Sequence, residues 1–304
     1  MTDTLHYSIA SVTPYINWVY FFHAWGFQPR FATISSIHGC DACRAGWLAD
    51  FAEEERAKAA EAMQLFKDAN RMLSHLAEDF KTHVRFGLFD ANSDDDNIVF
   101  QTSEGPFSLP LLRQQHTIKD GEPNLCLADF VRPLSQGIAD KVGVFAGTVD
   151  AEMEHMYEEG DYADDFKHML CQTLADRLAE AAVEKMHEEV RRTYWGYAPD
   201  EQLTTAELFL EKFQGIRPAV GYPSLPDQSI NFELDKLLHF EELGIRLTEN
   251  GAMIPHASVS GLMLSHPSSR YFAIGKIGED QLKDYANRRN LPVDVMRKFL
   301  SANL

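Results

Sequence analysis

The sequence predicts an α+β fold with antiparallel strands, and three observations carry that prediction. Short apolar runs are grouped in pairs around turn residues, as hairpin strands are. Two long stretches repeat apolar residues at intervals of three and four. The two patterns never fall into the regular strand-helix-strand alternation of a parallel sheet. No GxGxxG follows a strand, so dinucleotide-binding and common methyltransferase architectures lack their phosphate turn. At 304 residues with 45% hydrophobic content the chain can bury a large core. No internal repeat or low-complexity linker divides it, and residues 1–304 read as one domain.

Taken in order, aromatic residues on one face predict a helix over 17–26. Ala59, Met63, Phe66, Asn70, Leu73 and Ala77 recur at helical spacing within a predicted helix over 47–78. Strands at 86–89 and 98–101 flank an Asn/Ser/Asp turn, and 142–149 is a further strand. The stripe Met169, Leu174, Leu178, Ala182, Met186 and Val190 predicts a helix over 152–194, ended by Arg191-Arg192 and Gly196. The interval 197–230, with four prolines, reads as loop and leads to a helix over 234–243. Strands are expected at 259–265 and 271–277 around a Pro-Ser-Ser turn. Helices at 279–287 and 293–300 close the chain.

Composition removes several function classes. With 28 basic and 46 acidic residues, the net charge of −18 opposes a nucleic-acid or anionic-membrane partner. The acidic clusters at 50–55, 94–96 and 158–165 read as solvated faces. The aromatic run at 15–27 is too short to span a bilayer and contains Asn17 and His23, so a cytoplasmic location is expected. There is no HExxH, nucleophile elbow or phosphate loop, which removes zinc-hydrolase, serine-hydrolase and kinase readings.

The most informative stretch is Arg217-Pro218-Ala219-Val220-Gly221-Tyr222-Pro223. Its prolines fix φ, Gly221 opens a backbone path closed to other residues, and Arg217 offers a planar fork suited to a carboxylate. Around it lie Tyr194-Trp195-Gly196-Tyr197-Ala198-Pro199-Asp200, Ala257-Ser258-Val259-Ser260-Gly261, Ser265-His266-Pro267 and Arg270-Tyr271-Phe272-Ala273. With Tyr15-Ile16-Asn17-Trp18 and Leu174-Ala175-Asp176-Arg177-Leu178-Ala179-Glu180, these stretches resemble the activation domain of cobalamin-dependent methionine synthase. The resemblance extends over nearly the whole chain, to Ala302-Asn303-Leu304.

The resemblance implies a single C-shaped domain around a bent antiparallel sheet flanked by long helices. It also implies binding of S-adenosylmethionine and reductive remethylation of cob(II)alamin. Its partners are then the cobalamin-binding module of methionine synthase and a flavodoxin-like electron donor, for which Arg191-Arg192 and Arg288-Arg289 are candidate docking patches. Carried over by motif, Arg217 binds the ligand carboxylate with Tyr222 in support, Glu180 faces the ammonium, and Tyr271 and Phe272 lie near the adenine. His266-Pro267 shapes the turn before Tyr271.

The chain departs from the family at Asn17, where an aspartate is usual, and at Leu225-Pro226-Asp227-Gln228. His256 replaces a family glycine. No Asp-x-His-x-x-Gly cobalamin-ligand motif occurs, so the chain is expected to be a reactivation module rather than a complete methionine synthase, acting as a domain or in trans, with Met1 favouring the latter. Two other readings stay open: a non-catalytic S-adenosylmethionine-binding regulatory or docking protein, and a reactivase of another corrinoid protein.

Four cysteines do not form a disulfide scaffold in a chain of this length, and Cys126 and Cys171 read as buried thiols. Cys40-Asp41-Ala42-Cys43 has the spacing of a redox dithiol or half a zinc site, but a second CxxC is missing. It lies in an apparent insertion at about 30–55 relative to the family. A dispensable loop without metal is expected there, with Cys40 and Cys43 as its metal-ligand candidates.

Overall fold

The computed structural model describes residues 1–116, 121–160 and 163–304. It opens with strand β1 (Thr2–Ser8), which the sequence pattern did not reveal, and a short helix α1 (Ile9–Val12). Helix α2 (Trp18–Ala24) falls inside the expected 17–26. Asn17 caps it by accepting the Val19 amide at 3.1 Å, and Gly26 ends it at φ 74°.

The helix expected over 47–78 is instead two, α3 (Asp41–Ala49) and α4 (Arg56–Asp79). Phe51 turns inward between them, stacking on Phe31 with ring centroids 5.2 Å apart and meeting Trp47 edge-on at 4.7 Å. The acidic run Glu53–Glu55 forms a 3-10 turn at the start of α4, where the helix dipole favours negative charge. Helix α3 also stands where a loop was expected around Cys40 and Cys43.

Strands β2 (Lys81–Asp94) and β3 (Asn97–Thr102) form the anticipated hairpin, longer than predicted, with Asp94 opposite Asn97 and Asp95 at φ 49°. Strand β4 (Gly105–Pro110) was not anticipated because Pro106 and Pro110 argue against a central strand. It occupies the sheet edge, where a missing amide donor is tolerated. Strand β5 (Asp140–Val149) contains the expected 142–149.

The helix expected over 152–194 begins only at α5 (Asp165–Glu189), capped by Asp164, and its last turn, Val190–Tyr194, widens to a π-helix. Residues Ala151–His155 form a separate 3-10 turn, while Asp161 and Tyr162 of the 158–165 acidic cluster lie outside the described residues. A short helix, α6 (Thr205–Phe209), interrupts the proline-rich loop behind a Thr204/Glu207 capping box. Helix α7 (Ile230–Leu238) starts earlier than predicted and stops at His239, φ 55°. A small ribbon of β6 (Arg246–Leu247) and β7 (Met253–Ile254) precedes β8 (Ser258–Met263), and α8 (Glu279–Arg288) and α9 (Val293–Phe299) close the chain as expected.

Among the described residues the main sheet runs β4-β3-β2-β5-β8, with β1 paired to the first half of β2, and all its ladders are antiparallel. Alternation along β5 sends Phe145 and Val149 into one core with α4 and α5, and Val142, Val144 and Ala146 into another with α7 and α8. Helices thus cover both faces, and the outer edge of β8 remains for the segment that builds the site.

The strand expected at 271–277 is not formed. Its natural neighbour would be the edge of β8, and residues 216–220 occupy that edge. Ile216 and Leu264 exchange amide bonds at 2.9 and 3.0 Å, Leu262 donates to Pro218 O at 3.0 Å, and Val220 donates to Ser260 O at 2.9 Å. Residues 271–277 instead run irregularly, held by Ile274 N to Pro223 O at 2.8 Å and Gln114 Nε2 to Ala273 O at 2.8 Å.

Candidate functional site

The Arg217 segment lies along β8 because Gly261 lets it approach. A Cβ at Gly261 would sit 2.1 Å from Pro218 O and 2.8 Å from the Ala219 Cα, so no other residue fits without moving the segment away. Extended backbone turns alternate side chains to one side, which brings Arg217 and Ala219 together against α5. At Gly221 the chain turns with φ 87°, and its amide closes the turn on Leu225 O at 2.9 Å.

Helix α5 supplies the opposite wall. Arg177, Glu180 and Glu184 are spaced by three and four residues and form one stripe. Arg217 Nη2 pairs with Glu184 Oε2 at 3.0 Å, while Nη1 stands 4.0 Å from Glu180 Oε2. The Tyr222 hydroxyl donates to Glu180 Oε1 at 3.0 Å, and the Tyr271 hydroxyl accepts the Arg217 amide at 2.9 Å. These groups enclose a cavity of about 520 Å³, within the size range of small-molecule sites, roughly 300–1,000 Å³.

Charge shapes the cavity as much as volume does. Burial opposes the charge on Arg217, but Glu184, Tyr271 and Glu180 more than offset it and its pKa is raised. The charge of Glu180, followed by burial, pushes the Tyr222 phenol up to about 12. Burial, then the charge of Glu184, raises the Glu211 carboxyl above its ordinary range. Arg177 makes no ion pair among the described residues. Glu184 Oε1 and Arg217 Nε are buried without a protein hydrogen-bond partner.

Of the residues singled out from sequence, Asn17, Glu180, Arg217, Tyr222, Tyr271 and Phe272 all line this cavity. Gly221 does not; it shapes the loop from outside. Glu184, Glu211 and Arg177 also line the cavity and were missed. Glu184 and Arg177 were findable, since each lies one helical turn from Glu180. Glu211 gave no signal, because it stands in a loop at φ 54°.

The structure corrects the docking patches. Arg191 is fully buried, paired with Glu201 at 2.7 Å and set 4.1 Å from the Phe213 ring centroid. Arg289 is buried against Asp227 at 2.9 Å, and Arg192 and Arg288 pair with Glu188 and Asp284 on their own helices. Two of the four arginines are buried in the fold and all four are paired with acids, so they do not make a free basic surface. Asp227, in the stretch that departs from the family pattern, also accepts from the Tyr285 hydroxyl at 2.8 Å, a structural duty. His266 shapes its turn as expected, accepting from Ser268 N at 3.1 Å and, through its carbonyl, from Ser269 Oγ at 2.6 Å. Cys126 and Cys171 are buried, and burial raises both thiols.

The family model described as vitamin B12 dependent methionine synthase, activation domain, matches residues 8–290. The crystal structure of the MetH reactivation domain bound to AdoHcy shares 39% sequence identity; the alignment covers 100% of this chain and 90% of that one, with a TM-score of 0.86. No helix among the described residues is long and apolar enough to cross a membrane. The chain belongs to the activation-domain family of vitamin B12-dependent methionine synthase.

Proposed function

We propose that the chain binds S-adenosylmethionine in the 520 Å³ cavity and supports reductive remethylation of cob(II)alamin. The observation that carries this reading is the combination of two arginines with three carboxylates around one cavity. The ligand has a carboxylate, an ammonium and a sulfonium, and a net charge of +1. Arg177 and Arg217 against Glu180, Glu184 and Glu211 give two positive and three negative charges, a net −1 that complements it.

In this reading Arg217, with Arg177 beside it, holds the carboxylate, and Glu180 with Asn17 receives the ammonium. Tyr222 orients Glu180, while Tyr271 and Phe272 wall the adenine. Cobalamin presented by a separate module would supply the cobalt nucleophile, reduced by one electron from a donor such as a flavodoxin; the sulfonium methyl would pass to cobalt and S-adenosylhomocysteine would leave. The chain contributes position rather than an acid, base or nucleophile, so it serves as one component of a methyltransferase, at home in the cytoplasm.

Titration calorimetry with S-adenosylmethionine tests the binding step. One site per chain is expected, with affinity lost in Arg217→Ala and reduced in Glu180→Gln. Absence of binding, or unchanged affinity in both folded variants, contradicts the assignment. Binding without any remethylation favours the regulatory reading, for which the uncharged Asn17 is the supporting observation.

A further inference from the structure

The chemistry-bearing residues that this function leaves unused gather at the start of α3. His38, Cys40 and Cys43 each offer a donor atom, and all three atoms lie within 4.8 Å of one another. None of them lines the cavity. The backbone explains the grouping. Cys40 is the N-cap of α3 and accepts the Cys43 amide at 3.2 Å, so the first helical turn sets the two sulfurs 2.9 Å apart. His38 precedes the cap by two residues and returns over it.

The frame beneath is braced. Trp47 is buried, and its Nε1 donates to Thr33 Oγ1 at 2.9 Å, tying α3 to the segment before it. Phe31 and Phe51 stack on one another, and Trp47 meets Phe51 edge-on. Cys43 is exposed and Cys40 partly covered, so an ion can enter from solvent and keep a water ligand.

We propose that His38, Cys40 and Cys43 bind a thiophilic divalent cation, zinc by preference, as three ligands of a tetrahedral site whose fourth position is water. Two sulfurs and an imidazole are the donors of soft and borderline metals; magnesium and calcium take oxygen ligands. At a zinc–sulfur bond of about 2.3 Å, tetrahedral geometry places two sulfurs roughly 3.8 Å apart. The pair at 2.9 Å must open by about 1 Å to reach that. A disulfide requires about 2.05 Å and therefore a closure of similar size, so the sulfur separation alone does not choose between them. A metal needs a third donor to exceed the two ligands of a lone CxxC, and His38 supplies it within 4.8 Å of both sulfurs. Binding releases one proton from each thiol to the buffer.

The test uses the untagged, reduced chain under anaerobic conditions, with Co²⁺ as the spectroscopic probe. One equivalent is expected to develop thiolate-to-cobalt charge-transfer absorption and the strong visible bands of tetrahedral cobalt, and one equivalent of Zn²⁺ should bleach both. Cys40→Ser/Cys43→Ser should abolish the signal, and His38→Ala should weaken cobalt binding by at least about tenfold. An unchanged melting temperature of the metal-free variants shows that they fold. Absence of the charge-transfer band overturns the proposal, as does equal cobalt affinity in His38→Ala. Quantitative conversion of the pair to a disulfide by glutathione disulfide in a chain that takes up no cobalt overturns it in favour of a redox dithiol.

Discussion

Arg217 and Glu184 form an ion pair at 3.0 Å in which the two side chains retain only 11% and 15% of their solvent exposure. The arginine expected to anchor a carboxylate is therefore already neutralised, while Arg217 Nε and Glu184 Oε1 are buried without a protein partner. Arg217→Ala removes the anchor and also strands Glu184. The loss of ligand affinity should be about 2–4 kcal/mol, and stability should fall by up to about 3–5 kcal/mol. The double variant Arg217→Ala/Glu184→Gln separates the effects: urea unfolding should show stability largely restored, while calorimetry shows affinity still lost.

Asn17 uses Oδ1 to cap α2 and lines the cavity at the same time. Aspartate caps a helix equally well, and its charge suits a helix N-terminus. Asn17→Asp should therefore leave the melting temperature close to unchanged and tighten S-adenosylmethionine binding by roughly 1–2 kcal/mol, about tenfold or somewhat more. The gain should shrink with added salt. Calorimetry showing equal or weaker binding means that the cavity has been rebuilt around the amide.

Acidification should weaken binding earlier than ordinary carboxylates predict. Burial, then Glu184, raises the Glu211 pKa, and Arg217 opposes the rise only in part. As pH falls through that raised value, Glu211 takes a proton and the cavity loses one negative charge. A ligand of charge +1 then binds less well, while the neutral S-adenosylhomocysteine is less affected. Affinity for S-adenosylmethionine measured against pH should decline on the acid side in the unmodified chain and stay weak and flatter in Glu211→Gln. Matching profiles in the two proteins would remove Glu211 from the site.

Gly261→Ala tests how the Arg217 segment is held. The added methyl meets backbone atoms, Pro218 O at 2.1 Å and Ala219 Cα at 2.8 Å, and the buried Phe145 ring at 2.9 Å. Destabilisation of about 1–3 kcal/mol is expected, together with weaker ligand binding as Arg217 is displaced from Glu184. Thermal unfolding and calorimetry on one preparation measure both; an unaffected affinity would show that the segment is positioned by something other than β8.

Long-period patterns made much of the fold legible. The apolar stripe of α5 follows its buried positions and the unbroken apolar run of β5 follows burial of both its faces, so the sequence displays them. Elements governed by competition were harder. Residues 271–277 have strand-like composition, yet 216–220 take the β8 edge first, a choice that depends on Gly261 and a contact more than forty residues away in sequence. Phe51 interrupts a helical pattern because its stacking partner, Phe31, lies in another segment. At the site, Arg217 and Tyr222 announced themselves through a rigid proline-glycine loop, whereas Glu211 acquires its place only through tertiary folding. The same holds for the arginine pairs at 191–192 and 288–289, which sequence presents as basic patches, whereas Arg191 and Arg289 are buried against acids and Arg192 and Arg288 pair along their own helices.

The most direct measurement follows cobalt-bound methyl. The chain is mixed with the cobalamin module of methionine synthase in its cob(II)alamin form, an electron donor and S-adenosylmethionine labelled in its methyl group. The expected result is chain-dependent formation of labelled methylcobalamin, monitored by absorption and label transfer, and its suppression in Arg217→Ala. Formation at the same rate without the chain, or with the chain but independent of S-adenosylmethionine, would contradict the proposed function.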